Sequence, residues 1–379
     1  MIEKVRLGEL CRIQGGYAFK SNQFQKNNIP IIRIGNIQEN KVLIDNDICY
    51  TKEFLNSHPE FEIKNGDLLI AMSGATVGKV GIYSSKESAL LNQRVGKFVI
   101  TDKIESRYLY FLLLSPLFEK FILNNAFGCA QPNISNKQIE EFKFNKYSIE
   151  TQIEIANKLD KVQEIIDLRK KQTEELDELI KSQFVELFGD NKFSKTKICN
   201  IIDTNIIKTK KRFKIGEKIK YIDISSIDNL KNEIIRYTEY SVGEEPSRAQ
   251  QCINQGDIII STVRPNLKNV AINKFEYDNV IASSGFCVLR AKDCLKEYLL
   301  EIVKSDEFTA DMVSLTTGAN YPAIHTSDIL NYEVMLPPIE LQNQFAELVK
   351  QIDKQKFLIE KSLKETKDLQ ESLMNKYFL

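Results

Sequence analysis

Few residues of this chain are spaced as catalytic motifs require. Residues 74–79 (GATVGK) superficially resemble a phosphate-binding loop, but they lack its four-residue gap between glycines and the Ser or Thr after the lysine. Pro337-Pro338 is followed by Ile339, not by the aromatic residue with which an adenine methyltransferase grips a flipped base. Glu62 and Lys64 have no further acid suitably spaced to hold a catalytic metal ion. The sequence therefore predicts no active site in this chain.

Cysteine and histidine usage also argues against metal and disulfide chemistry. The seven cysteines are scattered and form no Cys-x-x-Cys pair, so we expect reduced thiols that pack as small hydrophobic side chains. Two histidines, His58 and His325, are too few for a histidine-based metal cluster. We expect no metal ion and no cofactor in this chain.

Composition indicates a folded protein outside the membrane. The 42% hydrophobic and 9% aromatic residues can fill cores and exclude disorder as the main state. The N-terminus has no apolar signal segment, and no stretch reaches the roughly 18 apolar residues that span a bilayer. We therefore expect a cytoplasmic protein without membrane contact.

The net charge is zero, with 52 basic and 52 acidic residues, which taken alone disfavours nucleic acid as a partner. The distribution of charge changes this interpretation. Residues 1–147 hold 19 basic and 15 acidic side chains, whereas residues 148–190 hold 6 and 11. The first long helix thus cancels a mildly basic globular region, and neutrality does not exclude DNA.

The second half of the sequence repeats the first: residue n matches residue n + 190, without a gap from residue 66 to the end. The matched residues include Gly66-Asp67 with Gly256-Asp257, Gly128 with Gly318, Pro132 with Pro322, Ile149-Glu150 with Ile339-Glu340, and Gln152 with Gln342. Before residue 66 the register is not evident, so the copies are expected to differ there. Two copies of one unit fill the chain.

Each copy begins as a mixed domain and ends in a helix. Strand-like runs such as residues 30–34 and 67–71 alternate with turn residues, and a short helix is expected from Tyr108 to Asn124. These patterns predict an α+β fold with globular domains at residues 1–147 and 191–336. Long helices are expected at residues 148–190 and 337–379, with a left-handed cap at Gly189 after the first.

The two long helices carry apolar residues at steps of four and three, which predicts a coiled-coil seam. The apolar seam residues are Ile155, Leu159, Val162, Ile166, Leu176 and Ile180 in the first helix and Phe345, Val349, Ile352, Ile359, Leu363 and Leu373 in the second. Polar residues interrupt the seams at different levels, for example Arg169 in one and Lys356 in the other. They could fix one register of pairing, but surface exposure of part of a long helix explains them equally well.

Several segments together resemble the specificity subunit of type I restriction-modification systems. They are residues 15–24 (GGYAFKSNQF), 29–37 (IPIIRIGNI), 66–83 (GDLLIAMSGATVGKVGIY), 128–135 (GCAQPNIS), 256–272 (GDIIISTVRPNLKNVAI), 282–286 (ASSGF) and 336–345 (LPPIELQNQF). The resemblance covers essentially the whole chain and agrees with the internal repeat.

This resemblance implies a fold and a set of partners. Each globular domain would be a target-recognition domain for one half of a bipartite double-stranded DNA site. The helices would pair as an antiparallel coiled coil that sets the spacing and docks two methyltransferase subunits, with restriction subunits as a further partner. S-adenosylmethionine, ATP and Mg²⁺ would belong to the partner subunits. The alternatives are a coiled-coil scaffold without DNA recognition and an unrecognised enzyme.

Geometry alone is compatible with such a reader. Two similar domains on a rigid separator suit half-sites about one helical turn, ~34 Å, apart. A helix from Gln152 to Leu187 would be about 54 Å long at ~1.5 Å per residue, so the reading faces would tilt inward from its ends. Because the copies differ before residue 66, the two half-sites are expected to differ.

The candidate DNA contacts are Arg, Lys, Asn and Gln side chains on loops, which can pair with guanine, adenine or phosphate. In the first copy they are Lys20, Arg33, Lys79, Gln93, Arg94, Gln131 and Asn133. In the second they are Lys208, Lys210, Lys211, Arg212, Arg264, Asn266, Lys268 and Tyr321. Ser135 and Gln138 have the spacing of a helix capping box, which favours a structural role for both.

Overall fold

The computed structural model describes residues 3–126, 132–189, 193–317 and 322–379. The chain divides into two compact units: residues 1–170 with 360–379 form unit 1, and residues 171–359 form unit 2. Each unit contains one globular domain and a segment of each long helix. Gln131 and Tyr321, two of the candidate DNA contacts, lie outside the described residues.

Unit 1 is built on three sheets. Its strands are β1 (Glu3–Arg6), β2 (Cys11–Gly15), β3 (Ile29–Ile32), β4 (Ile37–Gln38), β5 (Lys41–Val42), β6 (Cys49–Tyr50), β7 (Glu62–Ile63), β8 (Leu68–Ala71), β9 (Val80–Ile82), β10 (Ala89–Leu91), β11 (Val95–Ile100) and β12 (Lys143–Lys146). They pair in the orders β2-β11-β8-β9-β5-β4, β6-β3-β10-β7 and β1-β12. Most neighbours are antiparallel, but β3 and β10 run parallel.

Unit 2 repeats this topology. Its strands are β13 (Lys195–Lys197), β14 (Ile202–Asp203), β15 (Lys218–Ile222), β16 (Ile227–Asp228), β17 (Glu233–Ile234), β18 (Thr238–Ser241), β19 (Ala249–Cys252), β20 (Ile258–Ser261), β21 (Val270–Ile272), β22 (Val280–Ser283), β23 (Phe286–Ala291) and β24 (Glu333–Met335). They pair in the orders β14-β23-β20-β21, β18-β15-β22-β19, β16-β17 and β13-β24. β15 and β22 run parallel, as β3 and β10 do, whereas unit 1 has a second parallel pair, β5 and β9.

The helices follow the same repeat. They are α1 (Phe54–Ser57), α2 (Ser106–Leu113), α3 (Pro116–Ala126), α4 (Asn136–Glu140), α5 (Ile149–Phe188), α6 (Ile198–Ile201), α7 (Thr209–Arg212), α8 (Lys296–Lys304), α9 (Asp306–Ser314), α10 (Thr326–Leu330) and α11 (Ile339–Phe378). The long helices α5 and α11 begin and end at equivalent positions of the two copies. The expected architecture of two similar α/β domains, each followed by a long helix, is confirmed.

The central strand β8 is apolar at every position because both of its faces are buried. In β8, Leu68 and Ile70 join the core that also holds α2 and α3, whereas Leu69 and Ala71 join a second cluster on the opposite face. Successive side chains of a strand point to opposite faces, so a run without alternation is expected where both are covered. The same division occurs in β20 of unit 2.

The repeat extends further towards the N-terminus than the sequence comparison indicated. The 3-10 helices Ile34–Asn36 and Ile224–Ser226 occupy equivalent positions of the two copies, and each follows a strand of the parallel pair. Ile32 and its counterpart Ile222 are both fully buried. The expectation that the register ends at residue 66 is therefore wrong, because the scaffold of the two copies is shared almost from the start.

A buried glutamine joins each long helix to its globular domain. The Oε1 of Gln152 accepts a hydrogen bond from the Glu105 N–H at 2.9 Å, and its Nε2 donates to the Tyr147 carbonyl at 2.8 Å. In unit 2, Gln342 repeats both contacts, from the Leu295 N–H and to the Pro337 carbonyl, at 2.8 and 2.9 Å. In both units, this glutamine fixes the direction in which the long helix, α5 or α11, leaves its globular domain.

Within unit 1 the start of α5 packs against the end of α11. Gln163 pairs with Gln370 at 2.9 Å, and Arg169 donates to the Ser362 carbonyl at 2.6 Å and to the Thr366 hydroxyl. Because higher numbers in α5 face lower numbers in α11, the two segments are antiparallel. In unit 2 the remaining segments pack likewise, and Lys356 pairs with Asp177 at 2.8 Å.

Most of the expected seam residues are buried in these contacts. Those that are buried are Ile155, Leu159, Val162, Ile166, Ile180, Phe345 and Ile352. Those that are half-buried are Leu176, Val349, Ile359, Leu363 and Leu373. The polar seam residue Arg169 makes contacts between helices, as does Lys356, which supports a role in register over simple exposure.

Two local expectations were wrong. The helix expected from Tyr108 to Asn124 is divided into α2 and α3, because Pro116 disfavours helical geometry at Ser115 before it. Gly189 does not adopt a left-handed conformation; its N–H bonds to the Val185 carbonyl at 2.8 Å and continues the helical pattern. Among the described helices, none has the length and apolar character needed to cross a membrane.

Candidate nucleic-acid interface

In unit 1 three loops meet at one surface, which we call the first platform: residues 72–79, 92–94 and 132–137. Backbone hydrogen bonds join them, from Met72 N–H to the Arg94 carbonyl, from Gly74 N–H to the Pro132 carbonyl and from Ile134 N–H to the Met72 carbonyl, each at 2.9 Å. The loops are therefore held to one another by main-chain contacts that do not depend on side-chain identity.

The first platform encloses an open cleft of about 800 Å³. Three candidate DNA contacts, Gln93, Arg94 and Asn133, line it, and all three side chains are exposed. Lys79, also exposed, ends the first of the loops. The fold thus brings four candidates from three separate loops to one surface.

Ser73 is a polar residue of this cleft that the sequence analysis did not single out. It lines the cleft, and its buried Oγ has no hydrogen-bond partner within the described part of the chain. A buried hydroxyl without a partner is costly, so a ligand that accepts its hydrogen bond would be stabilised there. No spacing in the sequence marks this residue.

The capping box at Ser135 is confirmed. Its Oγ accepts a hydrogen bond from the Gln138 N–H at 3.3 Å, and the Gln138 Oε1 accepts one from the Ser135 N–H at 2.9 Å. Helix α4 is also tied to β2, since Asn136 donates to the Ile13 carbonyl at 3.0 Å and Glu140 accepts from the Ile13 N–H at 2.8 Å. These contacts give the third loop of the first platform a rigid base.

Unit 2 presents the same arrangement, the second platform, formed by residues 262–269, 284–286 and 322–327. Thr262 N–H bonds to the Gly285 carbonyl at 2.9 Å, Arg264 N–H to the Pro322 carbonyl at 2.8 Å and Ile324 N–H to the Thr262 carbonyl at 2.9 Å. Arg264 and Asn266 are exposed on it, and Lys268 is half-buried and paired with Asp306.

The remaining candidates lie on other segments of the chain. Tyr17 is joined to the first platform, with its N–H bonded to the Leu91 carbonyl at 2.8 Å and the Gln93 N–H bonded to its carbonyl at 2.9 Å, and Lys20, three residues further along, is exposed. Arg33 is half-buried and pairs with Asp45 at 3.7 Å, on a different loop.

The basic run of unit 2 forms helix α7 and its start. Lys208 lies in an isolated bridge with Gln251, and Thr209 donates to the Ala249 carbonyl at 2.9 Å. The run is therefore fixed to β19 by its buried threonine. Its exposed cations are Lys208, Lys210, Lys211 and Arg212.

The described residues offer no strong nucleophile at these surfaces. The six described cysteines are free thiols, five of them buried, and burial raises the pKa of Cys11, Cys287 and Cys294 to about 12. Nor do the described His, Cys, Asp and Glu side chains form a group of three or more that could hold a metal ion. The platforms expose side chains that can hydrogen-bond and carry charge.

The long helices expose leucines at equivalent positions of the two copies. In unit 1, Leu168 and Leu369 are 53% and 50% exposed; in unit 2, Leu358 and Leu179 are 57% and 41% exposed. Leu358 is the counterpart of Leu168, and Leu369 that of Leu179, in the register of the repeat. Each unit therefore exposes one leucine from each of the two long helices.

Comparison with known proteins agrees with this duplication. A family model for the type I restriction modification DNA specificity domain matches residues 2–178 and again residues 191–367. The MjaVIII type I restriction enzyme specificity subunit of Methanocaldococcus jannaschii is 28% identical over 213 residues, which are 55% of this chain and 47% of that protein. This match thus spans about half the relative's length.

Two further similarities cover more of the chain. The MjaIX type I restriction enzyme specificity subunit of the same organism is 23% identical over 339 residues, covering 81% of this chain and 76% of that protein. The crystal structure of a type I restriction-modification system S subunit from M. genitalium superposes with a TM-score of 0.54 at 15% identity, covering 100% of this chain and 96% of the other. The structural match supports the fold.

Proposed function

Because the chain belongs to the family of type I restriction modification DNA specificity domains and carries two of them, we propose that it is the specificity subunit of a type I restriction-modification complex. Each platform reads one half of an asymmetric bipartite site in double-stranded DNA. The chain itself is non-catalytic and acts in the cytoplasm. S-adenosylmethionine, ATP and Mg²⁺ are bound by partner subunits.

The observation that carries this proposal is the pair of platforms. In both units the same three loops are joined by equivalent main-chain hydrogen bonds, for example Gly74 to Pro132 and Arg264 to Pro322. The exposed side chains on the two surfaces differ, with Gln93 and Arg94 on one and Arg264 and Asn266 on the other. A common frame with different Arg, Asn and Gln side chains suits two different half-sites, since these side chains pair with guanine and adenine edges. A scaffold protein without DNA recognition would leave both platforms without a role.

The test is to co-express the chain with its methyltransferase subunit and to map N6-methyladenine across the host genome. We expect methylation at one bipartite motif with a fixed spacer. Replacement of residues 1–147 by the corresponding domain of a relative is expected to alter one half of the motif only. Methylation at a continuous motif, or none when the complex assembles, would refute the proposal.

The helices are proposed to set the spacer. Within each unit, α5 and α11 pair in antiparallel register through polar contacts such as Lys356 with Asp177, so the two must be changed together. Insertion of one heptad after residue 170 and another after residue 359 lengthens both by about 10 Å at ~1.5 Å per residue. A longer spacer with unchanged half-sites is expected, and an unchanged spacer would exclude this role.

We further propose that two methyltransferase subunits dock on the leucine-bearing helical surfaces, one on each unit. Leu168 and its counterpart Leu358 offer equivalent contacts to two copies of one partner, as the duplication requires. Leu168→Asp is expected to give a complex with one methyltransferase by native mass spectrometry, and the double variant with Leu358→Asp a chain with none. Lys170→Asp, an exposed position about 200° around the same helix from Leu168, serves as the control and should retain two. Two copies retained in the double variant would rule out this surface.

A further inference from the structure

The first and third loops of each platform meet at a pair of residues that differs in polarity between the copies. In the first platform, Ser73 and Asn133 pair in an isolated antiparallel bridge. In the second platform, their counterparts Val263 and Ala323 form the same bridge. One copy thus has two polar residues at positions where the other has two apolar ones.

The backbone around this bridge is equivalent in the two copies. The residue after the bridge has a positive φ angle in both, +75° at Gly74 and +51° at Arg264. The N–H of the same residue bonds to a proline carbonyl in both, at 2.9 and 2.8 Å. The two platforms therefore differ at the bridge in their side chains and not in the course of the main chain.

Ser73 carries a hydroxyl group that the scaffold does not need. Its side chain lines the cleft of the first platform, and its buried Oγ has no hydrogen-bond partner among the described residues. Because a serine side chain has three staggered χ1 positions, rotation about the Cα–Cβ bond can turn this hydroxyl towards the cleft. Val263, on the same backbone in the second copy, shows that folding does not require a hydroxyl there. A ligand in the cleft would give the Ser73 hydroxyl the partner that it lacks.

The side chains around Ser73 make the cleft suitable for an anion. Arg94 and Lys137 line it and are exposed, and none of the described residues that line it is acidic. The second copy has Ser327 at the position of Lys137. The first platform thus combines a hydroxyl donor with a lysine at two positions where the second has valine and serine. A hydroxyl and a cation together favour a negatively charged ligand that only accepts hydrogen bonds.

The shape of the cleft determines which part of a DNA duplex can reach Ser73. This residue is only 6% exposed, whereas Arg94, Asn133 and Lys137 around it are exposed, so it lies at the bottom of the cleft. Base edges lie at the bottom of the DNA grooves, about 8.5 Å deep on the major-groove side, and are contacted by side chains that project from a protein. The bottom of a protein cleft is reached instead by the part of DNA that projects, which is the sugar-phosphate backbone. Serine and lysine side chains both bind phosphate oxygens.

We infer that the cleft of the first platform binds a backbone phosphate of the DNA, with the Ser73 hydroxyl as hydrogen-bond donor and the Lys137 ammonium group as counter-charge. In the second platform, Val263 and Ser327 do not supply this donor and cation. The inference rests on the proposed function, because it assigns one phosphate contact within the complex on its bipartite site. It gives Ser73 and Lys137 the role of positioning the DNA.

The test measures binding of the complete complex with its methyltransferase to duplexes that carry the methylated motif. In a series of such duplexes, one phosphate at a time in and beside the first half-site is replaced by a neutral methylphosphonate. One of these replacements is expected to weaken binding of the wild-type complex about tenfold, because it removes the charged acceptor of a hydrogen bond. The same replacement should change binding of the Ser73→Val, Lys137→Ser double variant by no more than about twofold, since both protein contacts are already absent.

Single variants separate the hydroxyl from the charge. Ser73→Val introduces the residue of the second copy, and its melting temperature should stay the same or rise, because a buried hydroxyl without a described partner is removed. Ser73→Ala, which adds no volume, should weaken DNA binding to the same extent. Lys137→Ser should lower the slope of log K against log salt concentration by about 0.9, the value for one phosphate. Lys103→Ser, at an exposed lysine beyond the opposite end of β11 from the first platform, is the control and should keep the wild-type slope.

The outcomes distinguish the phosphate site from the proposed function. If the wild-type complex produces no bipartite motif, the proposed function fails. If it produces the motif, but each methylphosphonate weakens binding of the wild-type complex and of the double variant equally, the phosphate site is overturned. A change in the bases required in the first half-site after Ser73→Val would indicate a base contact and would also overturn the inference.

Discussion

The glutamine that joins each long helix to its domain allows a quantitative test of the duplicated scaffold. Gln152→Ala removes the acceptor of the Glu105 N–H and the donor to the Tyr147 carbonyl, two contacts of 2.9 and 2.8 Å. A partly buried backbone group without a partner costs about 1–3 kcal/mol. Each buried methylene that is lost adds about 0.8 kcal/mol. Water can enter the space that the side chain leaves, so we take the lower end of this range, about 1 kcal/mol for each of the two backbone groups. With the lost methylene, we expect unit 1 to lose about 3 kcal/mol of its free energy of unfolding.

For a unit of this size, that loss corresponds to a melting temperature about 6–12 °C lower. The assay is thermal unfolding together with amide hydrogen exchange resolved by helix. Exchange should accelerate in α2 for Gln152→Ala and in α8 for Gln342→Ala, because Gln342 makes the same two contacts at 2.8 and 2.9 Å. Gln172→Ala, exposed on α5, controls for loss of a glutamine from that helix.

A result within about 0.5 kcal/mol of the wild type for both variants would show that the buried glutamines are not required, since exposed substitutions change stability by that much. Faster exchange in both units after either single change would contradict the local character of the contact. Only a loss in the unit that contains the altered glutamine agrees with the reasoning.

Three further outcomes follow from the structure. Arg169→Ala should lower the free energy of unfolding by about 1 kcal/mol in denaturant titration, because Thr366 retains its own bond to the Ser362 carbonyl; a loss above about 3 kcal/mol would contradict this. Burial holds the pKa of Cys11 at about 12, so its thiol stays protonated at pH 8. A maleimide should then label the less buried Cys199 first, and faster labelling of Cys11 would refute this prediction. Arg94→Ala should change the first half of the methylated motif and leave the second unchanged, as genome-wide mapping would reveal.

The sequence correctly predicted those parts of the fold in which a pattern repeats over a long stretch of the chain. The helices α5 and α11 follow from a seam that repeats over their length, and the duplication follows from matches such as Gln152 with Gln342. The register before residue 66 was missed although Ile32 and Ile222 share the same offset. The β4-β5 hairpin pairs Gln38 with Lys41, whereas β16-β17 pairs Asp228 with Glu233, so the second turn is longer and interrupts the comparison.

Residue type was enough to find exposed candidates for a DNA interface, but it did not predict the backbone of the loops that carry them. Exposed Arg, Asn and Gln residues on loops led to Gln93, Arg94 and Arg264, which the fold brings onto the platforms. The unpartnered hydroxyl of Ser73 was not predictable, because its lack of a partner among the described residues depends on how the loops pack. The left-handed conformation of Arg264 was hidden as well, since its sequence context, Arg-Pro, favours an extended residue before the proline.

Under the proposed function, the pattern of burial allows one scaffold to serve two different DNA sequences. Some of the residues that the copies share are fully buried, such as Gln152 and Gln342, and a change in either leaves buried polar groups without partners. The loops of the platforms are joined through the main chain, as between Gly74 and Pro132, so their exposed side chains can change at little cost to folding. Specificity can therefore change by substitution on the platforms while the glutamines and the helical seam keep the frame constant.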